Sequence, residues 1–486
     1  MNKAFSLKDI VLKSAFVLSI LLISAFMVSC SPTDNELEGK EPQNIVDVGQ
    51  GQDKEDKENT EEAEETEDEE IIYIVENPLM TYMKEDGLYF SYLDDGGETR
   101  MHEGEDISNP RISPDGNYLV YTVEDDLYVY NLEVKDYVMI EEEIVSYAFA
   151  DEHTLIYSAS NKGLSKFDLI TGDKIHQADD NIYENLTYAK DKVVYGKRVL
   201  EWSDNLGEYA TNVGIVKIDG TNLGTELVVE GIKSSDDEIG YDPTIFQISK
   251  DGRYIYISEK FASGSMSADF GSIGVYDSES KEHTAFEDIY EDKDWLDDDL
   301  VVLPQLSNLA INPQKGNVIS VIKGGGREMI VDKEVVILDI QEDNSFELVR
   351  FIDEDLVAMT PRFTLDGKKL LYSATLNLES SNPVDYKGDV FADWFIQAHN
   401  IYEYDIESSK IEKLTEETSF DIMPISMGDS IIFFRAQDGI PLYYSLIKLT
   451  NGKEEILLED VIFKEQFYGN IQTETSMDLL LNSKKF

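Results

Sequence analysis

The sequence predicts an all-β chain folded as a β-propeller, with eight four-stranded antiparallel blades favoured over seven, and three observations carry the prediction. One hairpin recurs, as PRISPDGNYLVY (residues 110–121), FQISKDGRYIYI (246–257) and PRFTLDGKKLLY (361–372). Gly252 follows Gly116 by 136 residues and Gly367 follows Gly252 by 115, which are three and two units of roughly 45–58 residues, near blade length. Degenerate copies fill the gaps between them. A β unit that cannot bury its own face must stack on copies of itself, which a propeller does radially. A β-sandwich would also give short alternating strands, but not one hairpin at blade-length intervals.

Each element has a local cause. In Ser113-Pro114-Asp115-Gly116 the proline suits the second position of a type I turn, the aspartate the third, and the glycine the left-handed residue that follows. Ser249 to Gly252 and Thr364 to Gly367 fit the same template without proline. The weaker copies are YAFADEHTLIYS (147–158), LTYAKDKVVYG (186–196), LAINPQKGNVISVI (309–322) and MPISMGDSIIFF (423–434), each followed by an apolar strand and a polar turn. That makes seven hairpin anchors. An eighth unit, LMTYMKEDGLYFSYLDDGGETRMH (79–102), has later strands of a blade but no first one. Residues 466–482 are expected to supply it, so that strands from the two ends of the chain close the ring and remove its open edges.

The S-x-D-G hairpins resemble the repeats of TolB-like propellers, which also occur in the non-catalytic propellers of dipeptidyl-peptidase and prolyl-oligopeptidase enzymes. The resemblance spans residues 71–486 and specifies a fold, not an activity. TolB has six blades and a separate N-terminal domain, whereas an acidic segment precedes the repeats here.

The N-terminus reads as a bacterial lipoprotein signal peptide (1–29). Lys3, Lys8 and Lys13 form a basic leader, residues 15–28 an apolar stretch, and Met27-Val28-Ser29-Cys30 resembles a lipobox. Cys30 is the only cysteine, so no disulfide framework is available and its thiol is open to lipidation. The other readings are an uncleaved signal anchor and a buried thiol. Residues 30–70 are then a lipidated cysteine and an acidic disordered linker, because DKEDKENTEEAEETEDEE (53–70) buries too little to offset its ordering entropy. The expected address is extracytoplasmic, on a membrane reached through the lipid.

Charge limits the partners. The formal net charge is −58; setting aside +2 in residues 1–29 and −14 in residues 34–70 leaves −46 on the propeller. A field of this sign disfavours nucleic acid and favours cations or basic protein patches. Adaptation to a salty or alkaline exterior would produce the same composition. The expected partner is a protein, peptide or glycan of the envelope, bound by a monomer, and no cofactor is expected apart from Ca²⁺.

Long insertions fall between second and third strands at 196–211, 258–272 and 374–400, and one joins two blades at 286–304. They carry Trp202, Trp295 and Trp394, which makes the loop-rich face the expected binding surface. Each indole is equally suited to pinning its own loop. His399, close to Trp394, joins them as a binding candidate and as the first suspect for catalysis. Asp292, Asp294, Asp297, Asp298 and Asp299 offer oxygen ligands to Ca²⁺, but without EF-hand spacing they also suit a solvated loop. No G-x-S-x-G or H-E-x-x-H motif occurs. A binding scaffold is therefore the leading reading, and a propeller glycan lyase or hydrolase the alternative.

Overall fold

The structure, a computed structural model, describes residues 75–483 except 161, 178–180, 191, 200–209, 220–221, 232–240, 262–271, 285–307, 325–332, 343–345, 353–355, 377–396, 417–418, 437–442, 464, 468–469 and 474. Eight four-stranded antiparallel sheets form a ring of blades. Blade 2 illustrates the order from the axis outward: Ile107–Ile112, Tyr118–Val123, Asp126–Asn131 and Asp136–Glu141. The innermost strands of blades 3 to 8 are Ile144–Phe149, Ile182–Ala189, Tyr241–Ile248, Leu309–Ile311, Leu356–Phe363 and Asp421–Ser426. All seven anchors read from the sequence lie on first-to-second-strand hairpins.

Blade 1 is composite. Its outer three strands are Leu79–Lys84, Gly87–Tyr92 and Gly97–Glu103, and its innermost is Met477–Leu480, paired Leu79 to Leu480 and Tyr82 to Met477. Closure by the two ends of the chain is therefore observed, with a narrower strand than expected. Residues 465–472 instead form a separate hairpin, Glu465–Phe467 with Asn470–Gln472.

Burial follows position in the blade. Second strands lie between neighbouring blades and are covered on both sides, so Thr154–Ala159 is buried throughout and Tyr118–Val123 at its four central residues. Such strands read as continuous apolar runs. Outer strands such as Ile411–Lys413 are exposed throughout. The apolar core lies between blades: Val120, Leu127 and Val129 of blade 2 pack with Phe149, Leu155 and Tyr157 of blade 3. Each such side chain contributes about 1.5–3 kcal/mol on full burial.

The S-x-D-G turns take the expected form. Gly116, Gly252 and Gly367 have φ of 72°, 72° and 69°, and their N–H groups donate to the carbonyls of Ser113, Ser249 and Thr364 at 2.8, 2.7 and 2.8 Å. The hydroxyls of Ser113, Ser249 and Thr364 donate to Asp115, Asp251 and Asp366 at 2.6, 2.5 and 2.5 Å. The geometry shared by the three turns thus hydrogen-bonds each carboxylate within its own turn. The side chain at x is left free of that task.

A second repeat closes the third-to-fourth-strand hairpins. The carbonyls of Asn131, Asp168, Asp277 and Asp405 accept from the N–H four residues on, at 2.8, 2.9, 2.8 and 2.9 Å, and those later residues, Lys135, Gly172, Lys281 and Ser409, all have positive φ. In each case the Asn or Asp side chain also accepts from a backbone N–H of the turn.

The innermost strands carry bulges. Register shifts occur next to Asn109, Asn185, Thr360 and Met423, whose φ values are 53°, 51°, 50° and 56°. Left-handed backbone costs about 1–2 kcal/mol at a non-glycine residue, and the neighbouring blades offset it. Asn109 N–H donates to Thr475 O at 2.9 Å, and Met423 N–H to the Thr360 hydroxyl at 3.0 Å. Tyr147 donates its phenol to Asn109 O, and the Ser146 hydroxyl donates to Tyr183 O at 3.1 Å. Backbone groups that the bulge releases from the ladder are therefore used between blades, around the axis.

Two insertions are shorter than expected. Lys192–Val199 pairs with Ala210–Asp219 out to Val199 and Ala210, and Tyr254–Phe261 extends past Ser258. Strand pairing continues into segments that looked like loop because Gly196, Lys197 and Arg198 interrupt the apolar pattern.

Candidate functional site: the two mouths of the axial channel

The innermost strands line an axial channel whose two ends differ in chemistry. On the face of the second-to-third-strand turns, blades 2, 3 and 4 enclose a cleft of ≈ 340 Å³. Asn109 and Asn185 reach it from the bulges, Glu124 and Asp125 from the blade 2 turn, Glu184 from the blade 4 inner strand, and Arg111 from below. Glu124 is a third left-handed residue there, with φ 53°. Non-glycine residues in this conformation gather where the surrounding fold fixes them, and such places are often functional. The Arg111 guanidinium donates to Pro110 O at 2.8 Å. Three carboxylates against one guanidinium give this mouth an acidic character.

At the other end, on the S-x-D-G face, blades 4 to 7 enclose a cleft of ≈ 500 Å³. Its charged lining is Lys190, Lys250 and Arg362, and its apolar lining includes Tyr188, Ile248, Ile311, Phe363 and Leu365. Lys250 and Leu365 occupy position x of their turns, and Pro313 sits at the matching place in blade 6. The Gln247 amide crosses between blades to Leu309 O at 3.0 Å.

Near this rim Asp115, Glu152 and His153 come together. His153 Nδ1 lies 3.9 Å from Asp115 Oδ2, and Nε2 lies 4.0 Å from Glu152 Oε2. One ligand atom from each residue falls within 4.8 Å of the others, but Asp115 is already held by Ser113 and by Asn117 N–H at 3.1 Å. The cluster was not anticipated from sequence, since Asp115 and His153 belong to different blades.

The sequence candidates divide sharply. Trp202, Trp295 and Trp394, the aspartates Asp292, Asp294, Asp297, Asp298 and Asp299, and Cys30 all lie outside the described residues. His399 lies inside them and is 0 % exposed. It precedes the third strand of blade 7, packs on Phe420 with ring centroids 4.2 Å apart, and shares a hydrogen bond between Nδ1 and Gln397 O at 2.9 Å. Burial lowers its pKa to about 4, against a smaller opposing effect of that bond. The imidazole is therefore neutral at pH 7 and placed as a core group.

A pH dependence follows. Because the folded value lies below the ordinary 6.5, the stability tied to neutral His399 is complete above pH 6.5 and is lost as pH falls toward 4. Some 2 to 3 kcal/mol of unfolding free energy should disappear between pH 7 and pH 4.5 through this group, at about 1.4 kcal/mol per pKa unit. Urea titrations of the wild type and His399→Gln at both pH values measure it as the difference in slope. Parallel pH dependence in the two proteins would remove the assignment.

Among the described residues Ser165 Oγ lies 2.8 Å from His176 Nδ1. The two face each other across the outer strands of blade 3 and belong to neither mouth. Ser165 is 2 % exposed while His176 is exposed, and the contact is a cross-strand hydrogen bond on the outer part of the blade.

The chain is thus an eight-bladed β-propeller with two chemically distinct channel mouths. No protein-family model matches it, and no curated protein does. Solved structures similar to it include the dipeptidyl peptidase 4 of Porphyromonas gingivalis, at 12 % identity and TM-score 0.52, covering 78 % of this chain and 58 % of that one. A putative TolB from Agrobacterium tumefaciens is similar at 11 % identity and TM-score 0.36, over 83 % of this chain and 97 % of that one. Dihydro-heme d1 dehydrogenase NirN is similar at 12 % identity and TM-score 0.49, over 79 % and 73 %. At these identities the likeness is one of fold.

Proposed function

We propose that this protein is a lipid-tethered extracytoplasmic recognition scaffold that binds a basic segment of an envelope protein at the acidic mouth of its channel. The observation that carries the reading is the ≈ 340 Å³ cleft in which Glu124, Asp125 and Glu184 surround a rim formed by the bulges at Asn109 and Asn185. A propeller charge near −46 steers basic partners toward it, and fixed backbone lowers the ordering cost of binding. Trp202, Trp295 and Trp394, in the insertions that the sequence assigns to the loop-rich face, would widen the contact as aromatic anchors. Lipidation of Cys30 and the acidic segment behind it would hold this surface away from the membrane.

In-cell crosslinking with mass-spectrometric identification tests the reading. The wild type should yield a defined partner crosslinked through a Lys- or Arg-rich segment, and Glu124→Lys with Asp125→Lys should lose that partner at unchanged melting temperature. Cys30→Ala should move the protein out of the membrane fraction. Equal recovery by the charge-reversed variant would refute the binding role. Turnover of an envelope glycan by the purified protein would instead favour the alternative, a lyase or hydrolase at the same face.

A further inference from the structure

The structure assigns a second, independent binding site to the opposite channel mouth: we propose that it takes an organic carboxylate with an apolar chain. The inference begins from composition. The chain has 99 acidic and 41 basic residues, so a concave surface drawn from it at random would be dominated by carboxylates. The mouth formed by blades 4 to 7 has three cations in its lining, Lys190, Lys250 and Arg362, and among the described residues no aspartate or glutamate. The opposite mouth has Glu124, Asp125 and Glu184 with one arginine, and the cleft beside His153 has Asp151, Glu152 and Asp168.

Two carboxylates that adjoin this lining are tied up in their own turns. Asp251 and Asp366 are next in sequence to lining residues Lys250 and Leu365, yet each is hydrogen-bonded within its own turn, Asp251 staying exposed and Asp366 lining a neighbouring cleft. Asp251 accepts from the Ser249 hydroxyl at 2.5 Å and Arg253 N–H at 3.1 Å, and Asp366 from the Thr364 hydroxyl at 2.5 Å and Lys368 N–H at 3.0 Å. In these two blades the turn motif therefore ties its acid to donors of the hairpin itself and places x in the lining of this mouth. Asp251 still contributes a field at Lys190, which tempers the positive potential of the mouth without supplying a competing ligand atom in its lining.

The remaining surface fits the body of such a ligand. Ile248, Ile311, Phe363, Leu365 and the ring of Tyr188 form its apolar part, in a cleft of ≈ 500 Å³. Pockets of this size with a few converging polar groups on an apolar wall are typical small-molecule sites. Lys190 and Lys250 are exposed, so the head of the ligand would sit at the rim and the chain would point down the axis. Screening beyond about 10 Å at 0.1 M salt keeps the distant acidic surface from cancelling this local field.

Isothermal titration with decanoate, below its micellar range, tests the site, with decanol and decyltrimethylammonium as neutral and cationic probes of equal chain length. Decanoate should occupy one saturable site, about tenfold more tightly than decanol, and weaken severalfold between about 20 mM and about 200 mM salt. Lys190→Glu with Lys250→Glu, both at exposed positions, should weaken decanoate at least about tenfold with melting temperature unchanged. Lys190→Gln with Lys250→Gln should fall between. Binding of the cation as tightly as decanoate, no saturable decanoate binding, or equal affinity in the charge-reversed variant would overturn the assignment. The acidic mouth is untouched by these substitutions, so failure here leaves the proposed protein partner to its own test.

Discussion

Arg435→Met should cost about 3–5 kcal/mol of stability, because it strands a buried carboxylate. Asp421 opens the innermost strand of blade 8 and is 0 % exposed. Arg435, on the adjacent strand, holds it in a bidentate pair, Nε to Oδ1 at 2.7 Å and Nη2 to Oδ2 at 2.9 Å, and reaches on to Glu454 at 2.6 Å. Burial pushes the Asp421 carboxyl above its ordinary pKa even against the pull of the guanidinium. Without Arg435 the acid is left with two hydroxyls, that of Thr415 and that of Ser419 at 3.0 Å. The deficit should shrink at acidic pH, where the stranded group takes up a proton. Asp421→Asn combined with Arg435→Met should recover at least half of the loss, since no charge is then left unpaired. Urea midpoints of the three variants decide it, and a loss below about 1 kcal/mol in the single variant would contradict the role assigned to the pair.

The second large effect concerns closure. Ending the chain after Ser476 removes Met477–Leu480, the innermost strand of blade 1, and leaves Leu79–Lys84 paired only with Gly87–Tyr92. It also removes Asp478, which is buried and accepts from Ile112 N–H at 2.7 Å in blade 2, and Leu480, which packs near Gly116. Five of the six residues of Leu79–Lys84 are fully buried, so the lost strand takes with it the cover of a continuous apolar surface. A deficit of about 5 kcal/mol or more is expected, comparable with the whole stability of many domains, and a synthetic peptide spanning residues 475–486 should restore part of it. Calorimetry of the truncated protein with and without peptide measures both. An unchanged melting temperature would mean that the C-terminal strand is not structural.

The blades were legible because their signals are local. Ser113, Asp115 and Gly116 act within one turn, and Tyr118 to Val123 form a short apolar run buried between blades, so the hairpin announces itself wherever it recurs. Closure was legible by elimination, since residues 79–102 lacked a first strand and residues near 480 had no blade of their own. The bulges were not legible. Asn109, Asn185, Thr360 and Met423 share a backbone conformation but not one side-chain type, and Asn109, Thr360 and Met423 each donate their N–H to another blade. The two mouths were equally hidden, for a related reason: Lys190, Lys250 and Arg362 are separated by 60 and 112 residues and meet only when the ring closes. His399 shows the converse. Its place beside a long insertion suggested the surface, yet the bridge to Phe420 turns it into the core.

One measurement bears most directly on the closed eight-bladed ring on which both binding sites depend. Met80 and Leu479 are directly opposite in the pairing of blade 1, 399 residues apart in sequence. In a Cys30→Ser background, Met80→Cys with Leu479→Cys should oxidise under mild conditions to an intramolecular disulfide, identified by mass spectrometry of the linked peptides. Met80→Cys with Met139→Cys, which places the second thiol on the outer strand of blade 2, should remain reduced. The ring predicts rapid, near-complete crosslinking in the first pair alone; persistent free thiols there, or disulfides formed only between molecules, would contradict it.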